Sequence, residues 1–184
     1  MKTLILYTSH CGHTKRYANS LKVRVLADEI LEAKSISYKQ IKNYDTIVYM
    51  GPLKNNVIEG LHKLMKFFDK IKDKNILIAA CGLSCIRPDD YQKKLIITSN
   101  DLDDKHVRLY MLPGGMDLSL MHPIKRFIFK TALKYQMKNN DTPGASVGME
   151  NMLRNGVDYV NLDNLDRMVL VINKLGEMHD NANK

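Results

Sequence analysis

The chain has 184 residues, of which 45% are hydrophobic and 26% are charged. This composition is typical of a globular protein and excludes a disordered or collagen-like chain, and the length favours one domain with a full core. The longest apolar runs are too short to cross a membrane and no signal peptide is visible, so we expect a cytoplasmic protein.

The chain is basic, with a formal net charge of +8 and an isoelectric point near 9.3. Such a charge favours anionic partners such as nucleic acid, anionic lipid or an acidic protein, but lysines are scattered throughout and the total alone selects none of them. Cys11, Cys81 and Cys85 are an odd number without the paired spacing of a zinc site. We interpret them as reduced thiols.

The chain begins with a strand, a polar loop and a helix. Thr3–Tyr7 is an apolar run without a breaker, which predicts a buried strand. Lys15–Ile30 has helical spacing of its apolar residues. A loop that leads into a helix directs free backbone N–H groups and the positive end of the helix dipole at one place, which suits a phosphate.

The loop between these elements has the pattern S-x-x-G-x-T. It contains neither the G-x-x-x-x-G-K-[ST] of nucleotide triphosphatases nor the G-x-G-x-x-G of dinucleotide-binding proteins. Hydroxyl groups at both ends can donate to a phosphate monoester, and the glycine lets the backbone approach it. The alternative is an ordinary strand-to-helix turn rich in N-capping residues. The loop is Ser9-His10-Cys11-Gly12-His13-Thr14.

The rest of the chain alternates predicted strands and helices. This alternation predicts an α/β fold with a doubly wound parallel sheet and helices on both faces. The predicted elements are an edge strand over Leu31–Ser37, a strand over Thr46–Met50, a helix over Val57–Ile71, a strand over Ile76–Cys81, a helix over Asp89–Ile97, a strand over Val107–Leu112 and a C-terminal helix over Asn161–Glu177.

Three loops at the carboxyl ends of these strands carry a glycine next to the strand: Ser9–Thr14, Gly51–Asn55 and Gly82–Ser84. Ligands of doubly wound sheets bind at this edge. Three such loops fit a flat ligand that lies close to the backbone, although each glycine could also serve only its own turn.

Two other protein classes with this topology lack the residues that they need here. A phospho-acceptor receiver domain has acids after the first strand and an aspartate at the end of the third, where this chain has Thr8-Ser9 and Met50-Gly51. A low-molecular-weight tyrosine phosphatase has arginine six positions after its loop cysteine. That position, counted from Cys11, is Tyr17, and no Asp-Pro dipeptide supplies the general acid.

Additional material lies between Pro113 and Asn161, before the C-terminal helix. Its centre, Leu120–Lys138, reads LMHPIKRFIFKTALKYQMK and contains no acid. A basic amphipathic helix of this kind can lie on an anionic membrane surface. The alternative is a helix that packs on its own sheet with a solvated lysine face.

The segment MKTLILYTSHCGHT, the glycine loop after TIVYM and the late FIFKTALKYQMK stretch together resemble the flavodoxin-domain family that includes menaquinone-dependent protoporphyrinogen oxidase. The resemblance implies a flavodoxin-like fold with a five-stranded parallel sheet in the order 2-1-3-4-5. It implies one domain over residues 1–184, with a helical insertion at about 113–160. It further implies FMN as cofactor, a quinone as electron acceptor and work at the inner face of a membrane.

The resemblance also implies which residues hold the flavin, with Ser9–Thr14 on the phosphate. It implies no catalytic side chain and no metal, because the flavin carries the redox chemistry. His13 and Cys11 depart from the asparagine and threonine usual in flavodoxins, and no tyrosine is placed to stack on the ring. The residues that would flank the ring are Gly51, Pro52, Leu53, Lys54 and Asn55 after one strand, and Cys81, Gly82, Leu83 and Ser84 after the next.

Three functions follow as hypotheses. The first is an FMN-dependent oxidoreductase that passes electrons from a reduced small molecule, with protoporphyrinogen as one candidate, to a quinone-like acceptor. The second is an electron-transfer flavodoxin that serves protein partners, and the third is a binding module that has lost the flavin. The expected partners are a small redox substrate or quinone and an anionic membrane surface through Leu120–Lys138, with no nucleic acid.

Overall fold

A parallel β-sheet forms the centre of the computed structural model, which describes residues 1–103, 105–120, 123–124, 126–128, 130–131 and 156–182. Five parallel strands follow the order β2-β1-β3-β5-β6, and β4 pairs antiparallel with β3. This arrangement confirms the expected doubly wound sheet. The strands are β1 (Thr3–Tyr7), β2 (Glu29–Glu32), β3 (Thr46–Lys54), β4 (Val57–Ile58), β5 (Asn75–Gly82) and β6 (Val107–Pro113).

Helices cover both faces of the sheet, because successive strand residues point to opposite sides. Leu4 and Leu6 of β1 are buried with residues of α2 to α5, whereas Ile5 and Tyr7 are buried with residues of α1 and α6. The helices are α1 (His13–Val25), α2 (Tyr38–Ile41), α3 (His62–Met65), α4 (Phe68–Ile71), α5 (Asp90–Ser99) and α6 (Asp166–Ala182).

The helix predicted over Val57–Ile71 is wrong. Asn55 and Asn56 both have positive φ and turn the chain back, so that Val57–Ile58 pairs with the end of β3. Gly60 also has positive φ, which prevents a helix from beginning before it. The segment therefore forms a hairpin followed by the two short helices α3 and α4.

Three further boundaries differ from the sequence expectation. The helix predicted over Lys15–Ile30 ends at Val25, because Leu26 adopts a left-handed conformation and its N–H bonds the Lys22 carbonyl. The edge strand consequently begins at Glu29 rather than Leu31. The predicted loop Gly51–Asn55 is wrong as well, since β3 continues to Lys54.

A second, two-stranded sheet marks the ends of the additional segment. Its strands β7 (Gly115–Met116) and β8 (Val157–Asp158) run antiparallel. The Tyr159 N–H also bonds the Gly114 carbonyl at 3.2 Å. The chain therefore leaves the main fold and returns to it at nearly the same place.

Most of the basic stretch Leu120–Lys138 lies outside the described residues. Residues 123–124, 126–128 and 130–131 are helical. The side chains of Ile124, Phe127 and Ile128 are 64%, 72% and 61% exposed. Among the helices that the structure describes, none combines the length and apolar character needed to cross a membrane.

Candidate functional site

A cavity of about 120 Å³ opens at the carboxyl edge of the sheet. It lies at the end of β1, which has β2 on one side and β3 on the other. The chain therefore adds β2 on one side of β1 and all later strands of the parallel sheet on the opposite side. Such a switch in strand order is where doubly wound sheets bind ligands. The lining residues are Ser9, His10, Cys11, His13, Thr14, Pro52, Cys81, Gly114 and Gly115.

The amino terminus of α1 faces this cavity with its backbone donors open. Gly12 precedes the helix with φ of 84°, and a Cβ built there would meet open space. The helix has neither a side-chain cap nor an acid in its first turn. Within the described residues, the N–H groups of residues 10–14 donate no hydrogen bond, whereas the Lys15 N–H reaches Ser9 Oγ at 3.4 Å. These open donors and the helix dipole form a seat for an anion.

Thr14 and Cys81 meet in the wall of the cavity beside this turn. Thr14 is only 3% exposed, and its hydroxyl contacts the thiol of Cys81. Burial raises the pKa of Cys81 far above its usual value and raises the pKa of Cys85 to about 12. Both thiols are therefore neutral at physiological pH, so neither Cys81 nor Cys85 places a negative charge near the anion seat.

A buried tyrosine, Tyr49, connects the end of β1 to the residue that follows the β3–β4 hairpin. The Tyr49 hydroxyl donates to the Glu59 carbonyl at 2.9 Å and lies 2.8 Å from Thr8 Oγ1. Burial raises the pKa of Tyr49 to about 12, which keeps this hydroxyl protonated. Glu59 also reaches back to the loop, with its Oε2 2.6 Å from His10 Nε2. The β3–β4 hairpin and Glu59, which follows it, thus contact one side of the loop Ser9–Thr14.

The other side of α1 contacts the β7–β8 ribbon. Asp158 accepts a hydrogen bond from the Arg16 guanidinium, and its Oδ1 lies 3.8 Å from His13 Nε2. Partial burial opposes the ionisation of Asp158, but hydrogen bonds from the Val160 N–H and from Arg16 lower its pKa below the usual value. Tyr17 lies one helical turn after His13, and its hydroxyl donates to the Pro113 carbonyl at 2.8 Å.

The structure brings the first predicted loop together at the cavity, but only part of the later segments. Ser9, His10, Cys11, His13 and Thr14 line the cavity, and Gly12 caps the adjacent helix. Pro52 and Cys81 are the members of the two later segments that reach it. The predicted residues that do not line it are Gly51, Leu53, Lys54, Asn55, Gly82, Leu83 and Ser84.

These seven residues lie at the same edge of the sheet for structural reasons of their own. Gly51 is buried in β3, where a Cβ would be 2.8 Å from the Glu59 carbonyl oxygen. Leu53 and Lys54 pair with β4, and Asn55 begins the hairpin turn. Gly82 ends β5, and the next residues form a short 3₁₀ turn, Leu83–Cys85. The glycine at position 51 therefore serves the hairpin.

Sequence reasoning missed Gly114 and Gly115, which close the cavity on the β6 side. A Cβ at Gly114 would lie 2.9 Å from the Gly82 backbone, and one at Gly115 would collide with the Val157 carbonyl and the His13 ring. Both glycines directly follow β6, and this position at the carboxyl edge of the sheet could have identified them as cavity residues. Within the described residues, no group of three or more histidine, cysteine or acidic side chains could hold a metal ion.

A family model described as "Flavodoxin domain" matches residues 4–143. A search among curated proteins returned no match. The matched range includes every lining residue of the cavity, but it ends before β8.

The solved structures that a structural search matched share little sequence with this chain. A WrbA-like flavodoxin from Agrobacterium tumefaciens is 16% identical over 65% of this chain and 87% of that one, with a TM-score of 0.46. A flavoprotein from Lactobacillus acidophilus in complex with FMN is 18% identical over 61% and 91%, with a TM-score of 0.37. A flavodoxin from the domain Archaea is 16% identical over 65% and 89%, with a TM-score of 0.39.

Proposed function

The chain belongs to the flavodoxin domain family, and from this premise we propose that it is an FMN-dependent oxidoreductase. It would pass electrons from a reduced small molecule to a quinone-like acceptor. The observation that carries the proposal is the open amino terminus of α1. Its N–H groups have no partner among the residues that the structure describes, and together with the glycine cap they fit a terminal phosphate.

The residues present fit FMN at its phosphate end. The hydroxyl groups of Ser9 and Thr14 and the N–H groups between them would donate to the phosphate, and the buried Thr14 would exclude water from it. Bound FMN supplies the transfer of one or two electrons. The ring would lie beyond Pro52 and Cys81, with Leu53–Asn55 and Gly82–Ser84 beside it.

The net charge supports an enzyme rather than a soluble electron carrier. Flavodoxins that serve protein partners are usually acidic, whereas this chain carries +8. A basic protein instead suits an anionic small molecule or an anionic surface. The family resemblance noted in the sequence supplies the candidate substrates, protoporphyrinogen as donor and a quinone as acceptor.

An absorbance spectrum of the purified protein tests the cofactor. We expect a yellow protein, or uptake of added FMN, with a flavin spectrum. A colourless protein that binds no added FMN would contradict the proposal and favour a binding module. Turnover of a reduced donor with quinone then separates an oxidoreductase from an electron carrier, which would reduce only protein partners.

We also propose that the additional segment contacts an anionic membrane, as a peripheral attachment at its inner face. Ile124, Phe127 and Ile128 stand at helical spacing and are all mostly exposed, which supports the surface interpretation over packing on the sheet. The surrounding stretch is basic and contains no acid. On this proposal residues 1–184 form one domain, and the segment between β7 and β8 is its attachment.

Sedimentation with vesicles of phosphatidylglycerol and phosphatidylcholine tests this contact. The double variant Phe127→Ser, Ile128→Ser should lose most of the binding, because its apolar anchor is removed. Leu170→Ser is a matched control, since Leu170 on α6 is 69% exposed. Equal binding by the double variant and the wild type, or binding that is the same on pure phosphatidylcholine, would contradict the membrane contact.

A further inference from the structure

A carboxylate from a distant part of the chain lies beside the amino-terminal turn of α1. Asp158 contacts His13 and Arg16, although about 140 residues separate them in sequence. It lies outside residues 4–143, the part of the chain that matches the family model. The contact is therefore a feature that the family match does not cover.

The ribbon that carries Asp158 also forms a wall of the cavity. Asp158 pairs with Gly115 across the β7–β8 ribbon, and Gly115 lines the cavity. Because a Cβ at Gly115 would collide with the His13 ring, the ribbon packs directly against this side chain. His13 is 14% exposed and lies between the ribbon and the cavity.

Asp158 is itself held in place. Its Oδ1 accepts the Val160 N–H at 2.9 Å, and its Oδ2 accepts a hydrogen bond from Arg16. On either side of the additional segment, the Tyr17 hydroxyl donates to the Pro113 carbonyl and accepts from the Asn161 N–H at 3.1 Å. His13, Arg16 and Tyr17 of α1 therefore hold the ribbon and the residues that flank it against the turn that faces the cavity.

We propose that Asp158 is a positioning residue for the phosphate of FMN. It holds His13 and Arg16 against the ribbon and thereby keeps the first turn of α1 in the shape that presents its N–H groups to the phosphate. The carboxylate does not contact the phosphate, since two anions in contact would repel each other. This inference rests on the proposed function.

Comparison of FMN with riboflavin distinguishes positioning from a general structural role, because riboflavin lacks the phosphate. Apoprotein is titrated with each flavin, and binding is followed by flavin fluorescence. Asp158→Ala should weaken FMN binding roughly tenfold and leave riboflavin binding unchanged. Asp158→Asn should lose FMN affinity to a smaller extent than Asp158→Ala, because its single amide oxygen can replace only one of the two carboxylate oxygens that accept from Val160 and Arg16.

Asp166→Ala is a matched control. Asp166 pairs with Arg24 and so also joins α1 to the C-terminal region, but at the far end of the helix. It should change neither titration. Arg16→Leu removes the same contact from the exposed side of α1 and should reproduce the FMN-specific loss. It provides the test if Asp158→Ala fails to fold.

Each remaining outcome overturns a defined statement. An equal loss of FMN and riboflavin affinity in Asp158→Ala and Arg16→Leu would make Asp158 merely structural. Unchanged FMN affinity in both variants would also reject the inference, while the proposed function would stand. A wild type that binds neither flavin would overturn the proposed function together with the inference.

Discussion

Helices α1 and α5 both follow a parallel strand at the same edge of the sheet, but their amino termini differ. Asp89 caps α5, where its side chain accepts the Gln92 N–H at 2.6 Å, and Asp90 adds an acid to the first turn. Helix α1 has no side-chain cap and no acid there. One terminus is satisfied by its own residues and the other is left open.

The difference shows that the chain's own residues can close a helix terminus at this edge. A side-chain cap stabilises a helix by about 0.5–2 kcal/mol, and an acid in the first turn adds about 0.3–1 kcal/mol. Helix α1 forgoes both contributions. We infer that its open terminus is kept for a ligand, and three substitutions test this comparison.

The largest effect is expected from Thr14→Val, which removes a buried hydroxyl from the open terminus. FMN affinity should fall by about 1–3 kcal/mol, because the phosphate loses a donor that water cannot replace. Riboflavin affinity should not change. Thr98→Val on the exposed face of α5 is the control. Unchanged FMN affinity in Thr14→Val would mean that the phosphate lies elsewhere.

A smaller effect is expected from Lys15→Glu, which gives the first turn of α1 an acid like the one in α5. The stability of the apoprotein should rise, whereas FMN affinity should fall. The apoprotein should become more stable by about 0.3–1 kcal/mol, because the carboxylate interacts with the helix dipole. FMN affinity should fall by about 1 kcal/mol through repulsion of the phosphate. Thermal unfolding of the apoprotein and FMN titration measure the two quantities.

Lys22→Glu is the control for this charge change, because it alters the net charge equally at the last turn of the same helix. It should leave FMN affinity nearly unchanged. If both variants weakened FMN binding equally, the overall charge of the protein rather than the open terminus would control binding.

The smallest effect on FMN affinity is expected from Asp89→Ala at the closed terminus. The free energy of unfolding should fall by about 1 kcal/mol, because the Gln92 N–H loses its acceptor. FMN affinity should stay the same, since α5 takes no part in the proposed site. Urea denaturation and FMN titration check this pair. A loss of FMN affinity would show that the two termini are not independent.

The sequence predicted burial better than it predicted backbone path. The helical spacing of Ile58, Leu61 and Leu64 predicts that they share one buried face, and all three are buried. Their segment is nevertheless not one helix, because Asn56 and Gly60 adopt positive φ. Apolar periodicity reports which side chains face the core, whereas a single turn residue decides whether the chain between them is continuous.

In the candidate site, features formed by neighbouring residues could be predicted, whereas contacts between distant segments could not. The loop Ser9–Thr14 could be predicted because strand, loop and helix are contiguous in sequence. The contacts of Glu59 and Asp158 with this loop could not, since they depend on chain segments about 50 and 140 residues away. The packing of Gly51 against Glu59 could not be predicted either, because the hairpin turn between them brings the two residues together.

The hydrogen bond between Tyr159 and Gly114 has a consequence for how such a protein can change over evolution. Because the two ends of the additional segment are already neighbours, the segment can change in length without moving the strands of the sheet. Insertions or deletions there leave the strands and the first turn of α1 in place. If the proposed function holds, evolution can therefore change the membrane contact or the substrate preference without altering the proposed flavin site.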